Sequence, residues 1–182
     1  EFGQLGDGTT ISKNTATQIG NSNEWLTISA GTTFSLGIKT DGTLWGWGDN
    51  SSGQLGDGTT IEKIIPTQIG TDTNWRTVSC GAAHSIAIKT NGTLWGWGDN
   101  SSGQIGDGTS QNRLTPTQIG TQNNWDFVEC GFTYSFAIKT NGSLWGWGNN
   151  FNGQIGDGTT QNRTSPLQIG TETNWDNVSC GF

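Results

Sequence analysis

Every tryptophan in this chain falls on one of three positions of a fifty-residue period. LWGWG recurs at 44–48, 94–98 and 144–148, and GQ(L/I)GDGT at 3–9, 53–59, 103–109 and 153–159. Trp25, Trp75, Trp125 and Trp175 each follow Asn or Glu, and Trp45, Trp47, Trp95, Trp97, Trp145 and Trp147 complete the set. A period of this size marks a repeat architecture in which each unit is one supersecondary element. Such a unit cannot bury its own faces, so its neighbours complete its core and function lies on the assembled surface.

Each unit reads as four short strands. In the second copy W-R-T-V-S-C (75–80) runs to Gly81, and S-I-A-I-K-T (85–90) sets Ile86 and Ile88 on one face before T-L-W-G-W-G (93–98). Asn91-Gly92 between the last two predicts a type I′ hairpin, with Asp41-Gly42 and Asn141-Gly142 as its equivalents. A glycine-rich loop (99–115) leads to a fourth strand, P-T-Q-I-G (116–120), which Pro66, Pro116 and Pro166 begin in three copies, as suits an edge strand. No stretch carries the 3.6-residue period of a helix. The expected fold class is all-β, a β-propeller of four-stranded antiparallel blades, with first-blade strands near 25–30, 34–40, 43–48 and 65–69. Trp45 and Trp47 share one face while Gly46 and Gly48 leave the other bare. Rings of one blade are thus expected to meet backbone of the next, burying Trp45, Trp47, Trp95 and Trp97 between blades.

The run L-W-G-W-G-D-N-x-x-G-Q-L-G-D-G-T, then P-x-Q-I, then W-x-x-V-S-C-G-x-x-H-S-x-A-I, resembles the repeat of the family named after the regulator of chromosome condensation. The resemblance covers the whole chain and implies seven blades when the propeller is complete. Residues 1–182 then form part of one domain with repeats 1–50, 51–100, 101–150 and a partial 151–182, about three and two-thirds in all. An open fragment exposes apolar end faces, so the expectation is a piece of a longer protein, its missing blades supplied by the rest of the polypeptide or by another chain. Glu1-Phe2 reads either as the native counterpart of Phe151-Asn152 or as a cloning remnant. The sequence holds no initiator Met, no signal peptide and no apolar run of about 20 residues, and no membrane insertion is expected.

A net charge of −7 with five Lys and three Arg offers no basic patch, which argues against a nucleic-acid partner. Low Lys and Glu beside abundant Thr, Asn, Ser, Gly and Trp point to a secreted or cell-surface bacterial protein, with a cytoplasmic or nuclear location as the alternative. Cys80, Cys130 and Cys180 share a repeat position with Ala30, which fits small, buried, free thiols. No Cys-x-x-Cys or Cys/His cluster supports zinc. The Asp7, Asp57, Asp107 and Asp157 series sits in acidic glycine-rich loops without EF-hand spacing, and reads as turn-capping carboxylates. His84, the only histidine, alternates with Phe34 and Tyr134, so its position asks for a planar ring and leaves no second His for a nucleophilic relay. The sequons, Asn50 and Asn100 among them, carry little weight in a chain so rich in Asn, Ser and Thr. No catalytic residue, metal site or cofactor is expected.

Positions where the copies disagree are freed from packing or specialised for contact. One such group is the loop 11–16, 61–66, 111–116 and 161–166, carrying Lys13, Lys63, Arg113 and Arg163. The other gives a candidate partner-binding face of Arg76, His84, Asp126, Phe127, Glu129, Phe132 and Tyr134, with drift at exposed sites as the competing explanation. The leading expectation is a non-catalytic protein-binding or structural module with a protein partner. The family resemblance adds further possibilities, since its members include a nucleotide-exchange factor, a plant photoreceptor and a secreted bacterial enzyme inhibitor. Here Trp97 is followed by Gly98-Asp99-Asn100 and not by the photoreceptor's Gly-Trp-Arg-His-Thr. A secreted enzyme-inhibitor propeller and a guanine-nucleotide exchange or chromatin-associated factor stand as alternatives.

Overall fold

The computed structural model describes residues 2–21 and 23–181, so Glu1 lies outside the described residues. The first blade comprises β1 (Trp25–Ala30), β2 (Phe34–Lys39), β3 (Leu44–Gly48) and β4 (Lys63–Ile69). The second comprises β5 (Trp75–Cys80), β6 (His84–Lys89), β7 (Leu94–Gly98) and β8 (Arg113–Gln118). The third comprises β9 (Trp125–Cys130), β10 (Tyr134–Lys139), β11 (Leu144–Gly148) and β12 (Arg163–Gln168). Each blade is a four-stranded antiparallel meander in chain order, as the alternation and turn signals predict. No described residue is helical. The meander sends the β1–β2 turns and β3–β4 loops to one end of every blade, here the loop face. The β2–β3 hairpins and the blade-to-blade connections lie at the other end, the hairpin face.

The hairpin differs from the expected type I′ turn. Among the described residues no non-glycine has positive φ, whereas Gly92 has φ 79°. Gly92 N donates to Lys89 O at 2.8 Å and Lys89 N to Thr93 O at 3.1 Å, closing a three-residue loop with glycine in the left-handed position. Asn91 Oδ1 accepts from both Thr93 N and Thr93 Oγ1, which holds the Asn at negative φ. The register thus becomes Ile88 opposite Leu94. A Cβ on Gly92 would also stand 2.1 Å from Asn123 O, so the next connection closes over this glycine.

The fourth strand starts earlier than expected, and its proline is internal. Gly48 pairs with Lys63 and Gly46 with Thr67, so residues 64–66 oppose Trp47 alone. Pro66 sits in this irregularity of an edge strand, where its missing N–H breaks no ladder bond. The bulge serves the neighbouring repeat, since Ile64 O accepts from Gly8 N at 3.0 Å and Leu114 O from Gly58 N at 2.9 Å.

The cores lie between blades. One holds Phe34, Leu36, Ile38, Leu44, Leu55 and Ile69 of the first blade against Trp75, Val78, Ala87 and Trp97 of the second. The equivalent residues of the second and third repeats build the next. GQLGDGT is the socket of each joint. Trp97 Nε1 donates to Gln54 O at 2.9 Å, and Ser85 Oγ donates to the same oxygen at 2.8 Å. A Cβ at Gly56 would lie 2.8 Å from Trp97 Nε1, so this approach of ring to backbone requires glycine. The ring therefore meets the loop of the preceding blade, and not the bare side of the next blade's third strand; that side is filled by Leu36 and Leu55, which crowd Gly46.

Burial of the tryptophans is uneven. Trp47 and Trp97 are 5% and 0% exposed, as expected, but Trp45 and Trp95 are only half-buried. They stand near the hairpin end, where Trp95 Nε1 donates to Thr93 Oγ1 of its own turn and the ring edge reaches the rim.

Candidate functional site

The innermost strands are joined blade to blade through small polar groups. Cys80 N donates to Ser29 Oγ and Cys130 N to Ser79 Oγ, at 3.0 and 2.9 Å. Each thiol donates to the carbonyl of that same serine, Cys80 Sγ to Ser29 O and Cys130 Sγ to Ser79 O. All three cysteines are free, with Cys80 and Cys130 buried. Burial pushes the Cys80 thiol up to about 12 and also raises Cys130. These are packing thiols, the opposite of an activated nucleophile.

At the loop-face end of the innermost strands the chain turns through Gly31, Gly81 and Gly131, each covered by a ring from three residues on. Phe34, His84 and Tyr134 supply those rings and all are buried. His84 Nε2 lies 2.9 Å from Ser135 Oγ, and burial drives the imidazole down to about 4, so it stays neutral. The expectation of a planar ring without a titrating role at neutral pH agrees with this placement. Nothing here makes His84 or Tyr134 part of a contact surface.

The remaining candidates divide between the two ends of a strand. Arg76 and Asp126 are second in β5 and β9, toward the hairpin face, and form a pair at 2.8 Å. Arg76 also donates to Trp125 O and Asp126 O, tying the second blade to the third. Phe132 stands beyond the far end of β9, on the loop face, and is 45% exposed. A six-residue strand spans roughly 20 Å, so these two groups cannot meet one small epitope. Phe127 packs partly buried against the outer core of the third blade. Glu129, half-buried where the other repeats carry Ser29 and Ser79, has its pKa raised by burial, with a bond from Ser79 opposing.

Phe132 is thus the aromatic among the candidates that a partner can reach. Its turn is held by Gly131 N donating to Tyr134 O and by Ala82 N donating to Phe132 O, at 2.8 and 3.0 Å. Around it a shallow groove is lined by Gly31, Thr32, Gly81, Ala82 and Gly131. Thr32 and Ala82 occupy the ring's position in the first two repeats, and the sequence has a second phenylalanine, Phe182, at the fourth.

The basic loop residues that read as variable prove structural. Lys63 pairs with Asp57 at 3.0 Å, and Arg113 Nε and Arg163 Nε donate to Asp107 and Asp157, each at 2.6 Å. The same carboxylates cap the turn, as in Thr109 N to Asp107 Oδ1 at 2.9 Å. Burial raises the pKa of Asp107, but bonds from Thr109 and Arg113 outweigh it, leaving the carboxyl below its usual range. A fully buried Asn completes each loop: Asn100 Nδ2 reaches Asp107 and Thr109 O, and Asn100 Oδ1 accepts from Ile105 N. Asn50 repeats this, so both sequons are sealed. Among the described residues no group of His, Cys, Asp and Glu is placed to hold a metal.

One constellation escaped sequence reasoning altogether. Lys89 Nζ stands 4.6 and 4.0 Å from the ring centres of Trp75 and Trp95, and Lys139 stands 4.7 and 3.6 Å from Trp125 and Trp145. The signal was there in the invariant I-K-T before each turn. Its lysine ends the second strand one residue beyond the last core position, Ile38, Ile88 or Ile138, under the ring of the third.

Three joined four-stranded blades with glycine-and-tryptophan sockets define a repeat β-propeller, and known proteins fix its kind. Residues 41–88, 91–138 and 141–181 each match the regulator of chromosome condensation (RCC1) repeat, and a second form of that repeat matches 26–54, 75–104 and 125–154. The chain belongs to the RCC1 repeat family. No curated protein sequence matches it. Human WBSCR16 superposes with a TM-score of 0.87 at 22% identity, over 98% of this chain and 48% of that one. Prp20p from Saccharomyces cerevisiae, described with its binding to Gsp1p and histones, gives 0.75 at 23%, over 87% and 42%. Yeast RCC1 (Prp20) bound to Kap60 gives 0.74 at 21%, over 81% and 37%. At these identities the likeness is one of fold, and the chain spans less than half the length of each.

Proposed function

We propose that this chain is part of a non-catalytic propeller module that binds a protein partner at its loop face, with Phe132 as the anchor. The observation carrying this is a large ring, 45% exposed on the loop face, on a turn fixed by backbone bonds to two neighbours. Exposed aromatics on rigid supports dominate interface energetics, because little entropy is lost when they are covered. Absence of catalysis is supported by the neutral, buried His84 and the deeply buried thiols. Composition supports an extracellular or cell-surface setting and a bacterial source.

Exchange and chromatin readings lack support in the charge distribution. Six of the eight basic side chains are ion-paired within the protein. Lys39 and Lys139, the other two, lie over indole rings. No basic stripe is left for phosphates.

A photoreactive phenylalanine analogue placed at position 132, and separately at 82, tests the proposal in cells of the source organism. Adducts with one discrete protein at 132, absent at 82, are expected. Phe132→Ala should weaken capture of that protein by roughly 30-fold, the effect of losing a hot-spot side chain. Equal adducts at both positions, or undiminished capture by Phe132→Ala, would overturn it.

A further inference from the structure

The tryptophan–lysine constellation recurs in all three blades, but its surroundings differ between the first and the second. Lys89, beside the rings of Trp75 and Trp95, pairs with Asp72 Oδ2 at 2.6 Å. The lysine side chain is 9% exposed and the aspartate 56%, so this carboxylate reaches a nearly covered ammonium from the solvent side. Asp72 thereby shows what the constellation accepts, a single carboxylate set on a cation that two indole rings already hold.

In the first blade Lys39 Nζ stands 4.1 Å from the centre of the Trp45 ring and 5.6 Å from that of Trp25. The sequence has Ser22 where the second repeat has Asp72, and a serine brings no charge. Among the described residues Lys39 forms no ion pair. Asp41, two residues on, has its pKa lowered first by the Thr43 hydroxyl and only secondarily by Lys39, and it caps the hairpin by accepting from Thr43 N at 3.0 Å. Unlike Lys89, Lys39 is only half-buried, and it lines a cavity of about 640 Å³ between residues 6–21 and the first blade. Trp25, Trp45, Ile65 and Pro66 line that cavity with apolar surface, while Gln18 and Asn21 add polar groups. A volume of this order suits a small molecule held by apolar walls and a few polar contacts.

The charges of the lining select the kind of molecule. Lys13, its other cation, is held by Asp7 at 3.3 Å, which leaves Lys39 as the cation without an acid. One fixed charge matches a carboxylate, whereas a phosphate carries nearly two and calls for more donors than one ammonium. A sugar stacked on an indole is disfavoured, because Lys39 lies over the Trp45 ring and Trp45 Nε1 already donates to Thr43 Oγ1 at 2.8 Å.

We propose that this cavity binds a small organic acid, its carboxylate on Lys39 as Asp72 sits on Lys89, and its apolar body against Ile65 and Pro66. The site is built by the first blade and the residues before it, whereas Phe132 stands on the third, so either can fail without the other.

The test titrates the full chain with sodium cyclohexanecarboxylate, with the uncharged cyclohexanecarboxamide, and with the blocked peptide acetyl-Thr-Asp-Thr-amide. Binding is read from the ε-methylene resonances of Lys39 and Lys89 and from the indole N–H of Trp45. The acid should shift Lys39 and Trp45 saturably and leave Lys89 unmoved. The amide should bind at least about tenfold more weakly, as loss of a charge-assisted bond implies. Lys39→Gln should abolish the shift at Trp45. Ile65→Asp sets a like charge in the cavity wall at a position 55% exposed, where the fold tolerates it, and should weaken the acid by roughly tenfold. Equal responses to acid and amide, no saturable shift at Lys39, or undiminished binding in either variant would refute the site. Tighter binding of the aspartyl peptide than of the acid would overturn its assignment to a small molecule.

Discussion

Replacing Trp97 by Ala should cost about 4 kcal/mol, within the usual range for a buried aromatic. The ring is wholly buried in the core between the first and second blades. Its removal takes one of two donors from Gln54 O and ends an edge-on contact with Trp75 at 5.9 Å, each worth about 1 kcal/mol. Gly56, held at φ +82°, belongs to a tight turn and has no side chain with which to fill the void. Trp95 makes the instructive comparison, because it is half-buried and bonded within its own hairpin. Its replacement by Ala should cost roughly 2 kcal/mol, in proportion to the apolar area it covers. Urea unfolding followed by far-ultraviolet circular dichroism, at unchanged m, separates the two. The gap of about 2 kcal/mol corresponds to roughly 4–8 °C in Tm for a chain of this size. Equal costs for the two variants would refute the assignment of Trp97, and not Trp95, to the joint between blades.

Three other outcomes follow from the same geometry. His84 titrates near 4 when folded and near 6.5 when unfolded, so the unfolded chain binds the extra proton and stability falls as pH drops through that window. The loss should approach about 3 kcal/mol at pH 4 and vanish in His84→Phe, measured as Tm against pH; a flat profile in the parent protein would contradict burial of the ring. Cys80 and Cys130 should resist iodoacetamide at pH 8 until the chain unfolds, with half-buried Cys180 modified first in peptide mapping; equal rates at all three would count against the seam. Arg113→Lys should lie within about 0.5 kcal/mol of the parent, as Lys63 in the equivalent place foretells, whereas Asp107→Ala should cost about 2 kcal/mol by stripping Thr109, Asn100 and Arg113 of their acceptor.

The blades were legible because strand alternation, Asx-Gly turns and the Trp-Gly-Trp-Gly run are local signals repeated without insertion. What stayed hidden depends on the path of the chain. Asp107 and Arg113 are six apart in a loop, so their pairing follows from the loop's curl and not from any periodicity. The hairpin was misjudged because x-Asn-Gly-x fits two turn types, and only the Thr or Ser after the glycine, which fills the Asx side chain, tells them apart. Variation among repeats located surface positions without saying which end of a strand they occupy. Arg76 and Phe132 therefore looked like neighbours and lie at opposite ends, while His84 and Tyr134 are buried.

The joint between blades rests on each blade's inner tryptophan closing on the loop of the blade before it. Nuclear Overhauser contacts of the Trp47, Trp97 and Trp147 indole N–H protons test this directly. Their donors lie 2.9 Å from Gln4 O, Gln54 O and Gln104 O, and their rings rest on Gly6, Gly56 and Gly106. Strong cross-peaks to the α protons of those glycines are expected, with slow solvent exchange at Trp97 and Trp147. Fast exchange at Trp97 and Trp147, or cross-peaks only within each tryptophan's own repeat, would contradict the joint and with it the propeller built upon it.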